Sequence, residues 1–331
     1  MEHFIKYVDI HNFKSIKDLK LEDCRRINLF IGYPNVGKSN VLEALGLFSV
    51  PYLEKGENLN KLVRVENAVE LFNSSSEQNL CTIDTNLQKI KLEITDHLHL
   101  LLNNKLFFHF SEENNYLRHT PNGKTSKNEE IISNIKRYIF NSDNEWKSDN
   151  KNQLLPPFGE NIVDVLSFNP NMSDVLDFIK REFERNGLKL VLNKKDKSIL
   201  VQRNVSKEIV LLLPYFSLAD TLQRIIFYKT AIVSNKNSVL LFEEPEAHAF
   251  PPYIQTIMND IIDAESNQFF IVTHSPLVVN AFLEYEKLRK ETSIYLFDFK
   301  DNQTTVKRLS EEEMQLAYDY GDLFFNLENF L

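Results

Sequence analysis

Gly32-Tyr33-Pro34-Asn35-Val36-Gly37-Lys38-Ser39 decides the reading of this chain: it fills every position of the pattern G-x-x-x-x-G-K-S, and its neighbours suit it. Ile27-Asn28-Leu29-Phe30-Ile31 before it is short, apolar and β-prone. Residues 40–48 after it read as a helix that Pro51 helps to end. A strand that delivers a Gly-rich turn into a helix N-terminus aims several backbone N–H groups, and the positive end of the helix dipole, at one point. Lys38 can then reach the β- and γ-phosphates of a nucleoside triphosphate, and the Ser39 hydroxyl can ligate Mg2+.

Composition sets the frame around that stretch. At 331 residues, 43% of them apolar and 25 of them Phe, the chain can bury a large core in one big α/β domain or two smaller ones. Its two cysteines, Cys24 and Cys81, form no CxxC and have no His cluster beside them in sequence. This argues against a disulfide framework or zinc site and fits a reducing cytosol. The opening Met-Glu-His-Phe-Ile-Lys lacks the basic and apolar parts of a signal peptide, and no apolar run reaches membrane-spanning length. The expected location is the cytoplasm, with no membrane partner. A net charge of −9 speaks against a nucleic-acid coat protein, yet 38 Lys and Arg leave room for DNA contact through a local patch.

Along the chain, residues 4–10 and 19–21 alternate as paired strands do, which predicts an antiparallel lobe at the N-terminus. Between residues 104 and 160 the composition turns rich in Asn, Ser, Lys and Glu. Thr120-Pro121-Asn122-Gly123 marks a turn there, and a helix is expected over 128–140. This segment reads as an insertion or arm on the main domain, or as an ordinary surface lobe. Residues 161–184 look helical. Residues 187–192 and 198–202 look like a hairpin around Asn193-Lys194-Lys195-Asp196, and a long amphipathic helix is expected over 217–234. Val239-Leu240-Leu241-Phe242 and Phe269-Phe270-Ile271-Val272 are nearly all apolar and lie a helix length apart, as a parallel sheet covered on both faces requires. The fold expected is α/β: a mostly parallel sheet with flanking helices plus the antiparallel lobe, one head over 1–331 that closes on a tail, 311–331.

Two strand ends carry chemistry. Glu243 and Glu244 finish the first apolar run, where carboxylates are costly unless they meet a cation or solvent. At the C-terminal edge of a parallel sheet they lie where ligands bind in such folds. Glu243 can hold Mg2+ through a water, and Glu244 can orient and deprotonate the attacking water. A strand that merely ends in a solvated acidic turn before Pro245 would show the same letters; the upstream P-loop favours the catalytic reading. Thr273-His274-Ser275-Pro276 ends the next run, projecting His274 toward the γ-phosphate. Ser217 is a plausible N-cap for the 217–234 helix, with Asp220 completing a capping box, and a helix tip of that kind is also an anion site.

The order of these motifs resembles an ABC-type ATPase head of the SMC/OLD-like kind: P-loop, Ser-led helix, apolar strand with Glu-Glu-Pro-Glu-Ala-His, then Thr-His-Ser-Pro. Asn12-Phe13-Lys14-Ser15 is similar to that family's Asn-Phe-Lys/Arg-Ser element, whose basic residue approaches the phosphates. The resemblance implies that Gly32 to Asn40, with Asn35, Gly37, Lys38, Ser39 and Asn40, form Walker A. It makes Ser217 to Asp220 the signature, Glu243 and Glu244 Walker B, and His274 the switch histidine. It also implies ATP and Mg2+ bound between two protomers, Ser217 acting in trans, and hence a nucleotide-dependent homodimer. Glu243 stands where the family usually has Asp, Ala219 where it has Gly, and Phe250 where many relatives have a second His. Gln78 lies in a plausible interval for a Q-loop.

Two other classes compete. The P-loop followed by Asn193-Lys194-Lys195-Asp196 mimics a GTPase, but no glycine after the P-loop has Asp three positions before it. A regulatory, non-catalytic nucleotide sensor is the other. OLD-like proteins often append a nuclease, for which the stretch after His274 is short, so the expected output runs through a separate effector protein, in nucleic-acid maintenance or defence against foreign DNA.

Overall fold

The computed structural model of the chain describes residues 3–76, 79–113, 116–120, 133–143, 145–147, 149 and 151–331. Two compact units divide it, one made of residues 1–137, 237–244 and 267–331, the other of 138–236 and 245–266.

The first unit opens with β1 (Val8–Phe13) and β2 (Ile16–Leu21), antiparallel neighbours with Val8 opposite Leu21. β3 (Ile27–Gly32) and α1 (Lys38–Gly46) follow. Then β4 (Leu80–Thr85), β5 (Lys89–Ile94), β6 (Leu98–Leu102), β7 (Leu106–Glu113) and β8 (Tyr116–Thr120) extend the first pair into an antiparallel sheet ordered β2-β1-β4-β5-β6-β7-β8. One face of it is buried with a period of two: Val8 and Ile10, Cys81 and Ile83, Ile90 and Leu92, Leu98 and Leu100. The residues between them are more exposed, as a sheet packed on one side demands. The antiparallel lobe is therefore larger than the N-terminal pair, and the first part of segment 104–160 belongs to it.

β9 (Ile135–Tyr138) corrects the helix expected over 128–140, of which residues 128–132 lie outside the described ones. Lys136 and Arg137 in this strand are both buried. Lys136 Nζ lies 6.0 Å from the Tyr52 ring centre, and Arg137 is held by carboxylates. With its charges paired, this stretch follows the β-propensity of Ile135 and Tyr138.

The second unit contains α2 (Ile162–Phe168) and α3 (Ser173–Glu184), broken by a single 3-10 turn at Pro170. β10 (Leu188–Asn193), β11 (Ser198–Asn204) and β12 (Val210–Pro214) form an antiparallel sheet in that order. At the β10–β11 turn, Asn193 Nδ2 donates to Asp196 at 2.8 Å and Asn193 Oδ1 accepts from the Asp196 amide, so turn chemistry consumes the GTPase-like letters. α4 (Asp220–Ser234) follows, and later α5 (Pro251–Asp263) packs on it through the Lys229 ammonium, 2.7 and 2.8 Å from the two Asp260 oxygens.

α4 begins three residues later than expected. Ser217 sits in a 3-10 turn and donates to Pro214 O at 2.6 Å; the N-cap is Ala219, which offers no side-chain cap. Asp220 is the first helical residue and takes Arg224 Nε at 2.7 Å, so there is no capping box here. The serine hydroxyl is taken by a carbonyl of its own turn instead of capping the helix.

Back in the first unit come β13 (Val239–Glu243), β14 (Gln268–Val272), α6 (Pro276–Leu283), α7 (Glu286–Lys290), β15 (Thr292–Lys300), β16 (Gln303–Arg308) and α8 (Glu311–Asp319). The second sheet runs β16-β15-β3-β14-β13-β9, with β15, β3, β14 and β13 mutually parallel and β16 antiparallel. Buried on both faces, these strands read as the continuous apolar runs seen in the sequence. Phe30 sits at their centre, its ring 5.0–5.9 Å from those of Phe297, Phe270 and Tyr295. The register puts the C-terminal ends of β3, β13 and β14 along one edge. At the chain's end, Leu323, Leu327 and Phe330 are buried whereas Phe325 is 91% exposed.

Candidate nucleotide site

The loop from β3 to α1 turns on two left-handed residues, Asn35 (φ 64) and Gly37 (φ 101). Gly37 is required twice over. A Cβ there would fall 2.0 Å from Thr304 Oγ1 and 2.9 Å from Ser15 Oγ, and its φ is one that side chains avoid. Those hydroxyls are themselves 2.7 Å apart, and Asn40 Nδ2 donates to Ser15 Oγ at 2.7 Å, so the Asn12–Ser15 turn is tied to the loop. No side chain caps α1, and the Val41 amide reaches back to Gly37 O at 3.2 Å. The amides before it are those a helix start offers to an anion.

Lys38 is 5% exposed, and its ammonium donates to Gly32 O at 2.8 Å and Tyr33 O at 2.7 Å. Burial pulls its pKa down to about 8, against the attraction of Glu244 and Glu243. Across the sheet edge, Glu244 sits at φ 44, with its amide on Val272 O at 2.9 Å. A non-glycine residue held there stores about 1–3 kcal/mol, a kind of strain that clusters at functional sites. His274 Nε2 lies 3.6 Å from Glu244 Oε1. Burial, with Lys38, holds the imidazole below its usual pKa despite Glu244, so it is neutral at pH 7.

Glu243 lies between two arginines. It accepts from Arg137 Nη2 at 2.8 Å and from Arg64 Nη2 at 3.4 Å, with the Ser39 hydroxyl close enough to lower its pKa. Burial pushes its pKa up, but Arg137, Ser39 and Arg64 outweigh this and hold it ionised. Behind it Glu43, 0% exposed, is bonded by Lys14 Nζ and by Arg64 Nε at 2.6 Å, with Arg137 Nη1 4.0 Å away. Lys14 Nζ also donates to Arg64 O at 2.7 Å, and burial lowers its pKa although Glu43 opposes this. The ammonium expected near the phosphates is thus held by Glu43 in this structure.

One unit therefore brings together Lys38, Ser39, Glu243, Glu244 and His274, with Lys14, Asn35, Gly37 and Asn40 around the same loop. Ser217 belongs to the other unit, where it is exposed ahead of α4. Gln78 lies outside the described residues. Glu43, Arg64 and Arg137 were not found from the sequence. A carboxylate inside the apolar helix Val41-Leu42-Glu43-Ala44-Leu45 was the available hint for the first; the arginines stand in stretches with no motif.

The donor set suits Mg2+. Ser39 and Glu243 offer neighbouring hard oxygens, and the described residues contain no cluster of three or more acidic, His or Cys ligands. Mg2+ is typically held by one or two such protein groups together with substrate phosphates rather than by a protein cage.

The family described as "AAA domain, putative AbiEii toxin, Type IV TA system" matches residues 27–280. The chain belongs to it. Its fold is that of an ABC-type ATPase head of the SMC/OLD-like kind. Among solved structures it is similar to an SMC head bound to the C-winged helix domain of ScpA, with a TM-score of 0.52 and 14% identity over 94% of this chain and 99% of that one. It is also similar to an SMC head with an extended coiled coil bound to the C-terminal domain of ScpA derived from Pyrococcus furiosus, with a TM-score of 0.57 and 10% identity over 96% and 99%. Among sequences, the DNA replication and repair protein RecF of Clostridium tetani is 23% identical over 248 residues, 71% of this chain and 63% of the relative. RecF of Caldanaerobacter subterraneus subsp. tengcongensis is 36% identical over 63 residues, 19% of this chain and 17% of the relative. The chain thus matches less than two thirds of the length of either relative.

Proposed function

We propose that this ATPase-family head binds ATP with Mg2+ in the β3–α1 loop, hydrolyses it, and closes as a homodimer around it. The observation that carries this is the convergence of Lys38, Ser39, Glu243, Glu244 and His274 on one unit, at the sheet edge where the loop opens. The amides of α1 and the Lys38 ammonium hold the phosphates, and Ser39 and Glu243 hold the metal. When bound, Mg2+ supplies charge neutralisation on the phosphate oxygens. Glu244 takes the proton of the attacking water as its oxygen bonds to the γ-phosphorus and the bond to ADP breaks. The neutral imidazole of His274 donates to or accepts from the γ-phosphate side, reporting its presence. Ser217 and the start of α4 meet the nucleotide of the second protomer. The engagement of both Glu243 oxygens by arginines favours slow turnover, suited to a switch.

Downstream, the family description and the RecF relatives support a role in nucleic-acid maintenance or in defence against foreign DNA, exerted through a separate effector in the cytoplasm. Among the described residues no helix is long and apolar enough to cross a membrane.

Steady-state ATP hydrolysis by the parent and by Glu244→Gln tests the reading. The variant is expected to keep ATP affinity and lose turnover by about 100-fold or more, the scale of a general base. Hydrolysis at the parental rate would remove Glu244 from that role.

A further inference from the structure

We propose that Arg137 is a positioning residue for the metal-binding carboxylate, its guanidinium fixing Glu243 at the end of β13. The inference rests on the ATP and Mg2+ reading above and adds a residue that no motif contains.

Arg137 is 3% exposed, so its charge is out of water, and its Nε has no hydrogen-bond partner among the described residues. A buried guanidinium is a costly way to fill space, and well-packed apolar residues often do as well or better. What the guanidinium achieves here is orientation. Nη1 bonds Leu62 O, and Nη2 donates to Glu243 Oε2 at 2.8 Å. The backbone of the same residue is pinned by its amide on Ser49 Oγ at 2.9 Å. The fork is therefore anchored at one prong while the other holds the acid.

α1 is shaped around this side chain. A Cβ on Gly46 would fall 2.7 Å from Arg137 Cδ, although Gly46 has ordinary helical φ of −61 and needs no glycine for its backbone. At this last residue of α1 the backbone would accept alanine, so the missing Cβ marks the space the arginine stem occupies. Glu243 also needs such a guide more than a shorter acid would. It is one methylene longer than aspartate and would sample more rotamers at the end of β13 unless held. Groups that orient a metal ligand in this way typically matter by about 10–100-fold in metal affinity.

The competing account is that Arg137 only neutralises the buried acids Glu43 and Glu243. Mn2+ uptake separates the two, measured by electron paramagnetic resonance on the full chain saturated with a slowly hydrolysed ATP analogue. Arg137→Met is expected to weaken Mn2+ binding by roughly 10-fold. Gly46→Ala, which keeps the arginine but displaces its stem, is expected to weaken it several-fold, and it remains a test if the methionine variant does not fold. Both effects should largely vanish in the Glu243→Gln background, because a residue acting through Glu243 is coupled to it. Parental Mn2+ affinity in the folded variants, or a loss that persists in full beside Glu243→Gln, would overturn the role of Arg137 alone. A parent chain that takes up no Mn2+ with the nucleotide would overturn the ATP and Mg2+ reading and this inference with it.

Discussion

Lys38 shows how much of the site is electrostatics held in readiness. Its ammonium is buried against two carbonyls, Gly32 O and Tyr33 O, with its pKa pulled down to about 8 by burial. A triphosphate in the loop would favour the charged form and raise that pKa, so nucleotide binding takes up protons wherever the free protein has begun to lose them. At pH 8 the uptake should be about half a proton per site, falling toward zero near pH 6.5, and affinity should weaken as pH rises past 8. Calorimetric titration of ATP in buffers of different ionisation enthalpy measures this directly; no proton uptake at pH 8 would place Lys38 away from the phosphates. At this scale the sequence was legible where spacing is rigid. The loop from Gly32 to Ser39 and the acids after β13 are read off letters because covalent geometry fixes their neighbours. Arg64, Arg137 and Glu43 were not legible, since their meeting depends on three separate segments folding onto one carboxylate pair.

At the scale of elements, the buried strands were the easiest to read. β3, β13 and β14 are apolar without a break because both faces are covered, and a strand of that kind leaves little doubt about its ends. The helix expected over 128–140 is instead the strand β9, in which the buried Arg137 is paired with Glu243. The start of α4 was misplaced because Ser217 is chemically fit to cap, but its hydroxyl is taken by Pro214 O. That leaves α4 with Ala219 at its N-cap and its first amides without a side-chain partner there. Ala219→Asp should cap the helix, adding about 1 kcal/mol, or roughly 1–2 °C in Tm for a chain this long. The same carboxylate would repel a phosphate approaching from a second protomer, so ATP-dependent association should be lost while ATP binding to the single chain persists. Thermal unfolding and analytical ultracentrifugation check the two halves. A more stable variant that still associates with ATP as the parent does would free the tip of α4 from any role in trans.

At the scale of the whole molecule, the parallel sheet with an antiparallel lobe was legible in the alternation of apolar runs, while the extent of that lobe was not. The polar composition from residue 104 onward suggested an insertion or arm, or an ordinary surface lobe; within it β7 and β8 continue the seven-stranded sheet. Period-two burial on one face leaves a polar outer face whose letters look like an excursion. The division into two units places Lys38, Glu243, Glu244 and His274 on one and Ser217 on the other. A switch that joins two copies through nucleotide would make the second unit's helix tip serve a neighbour. Small-angle X-ray scattering of Glu244→Gln with saturating ATP and Mg2+ tests that most directly. The account predicts a particle of about twice the 38.8 kDa chain that returns to one chain when nucleotide is withheld. A single-chain mass at every protein concentration, with ATP and Mg2+ present, would contradict it.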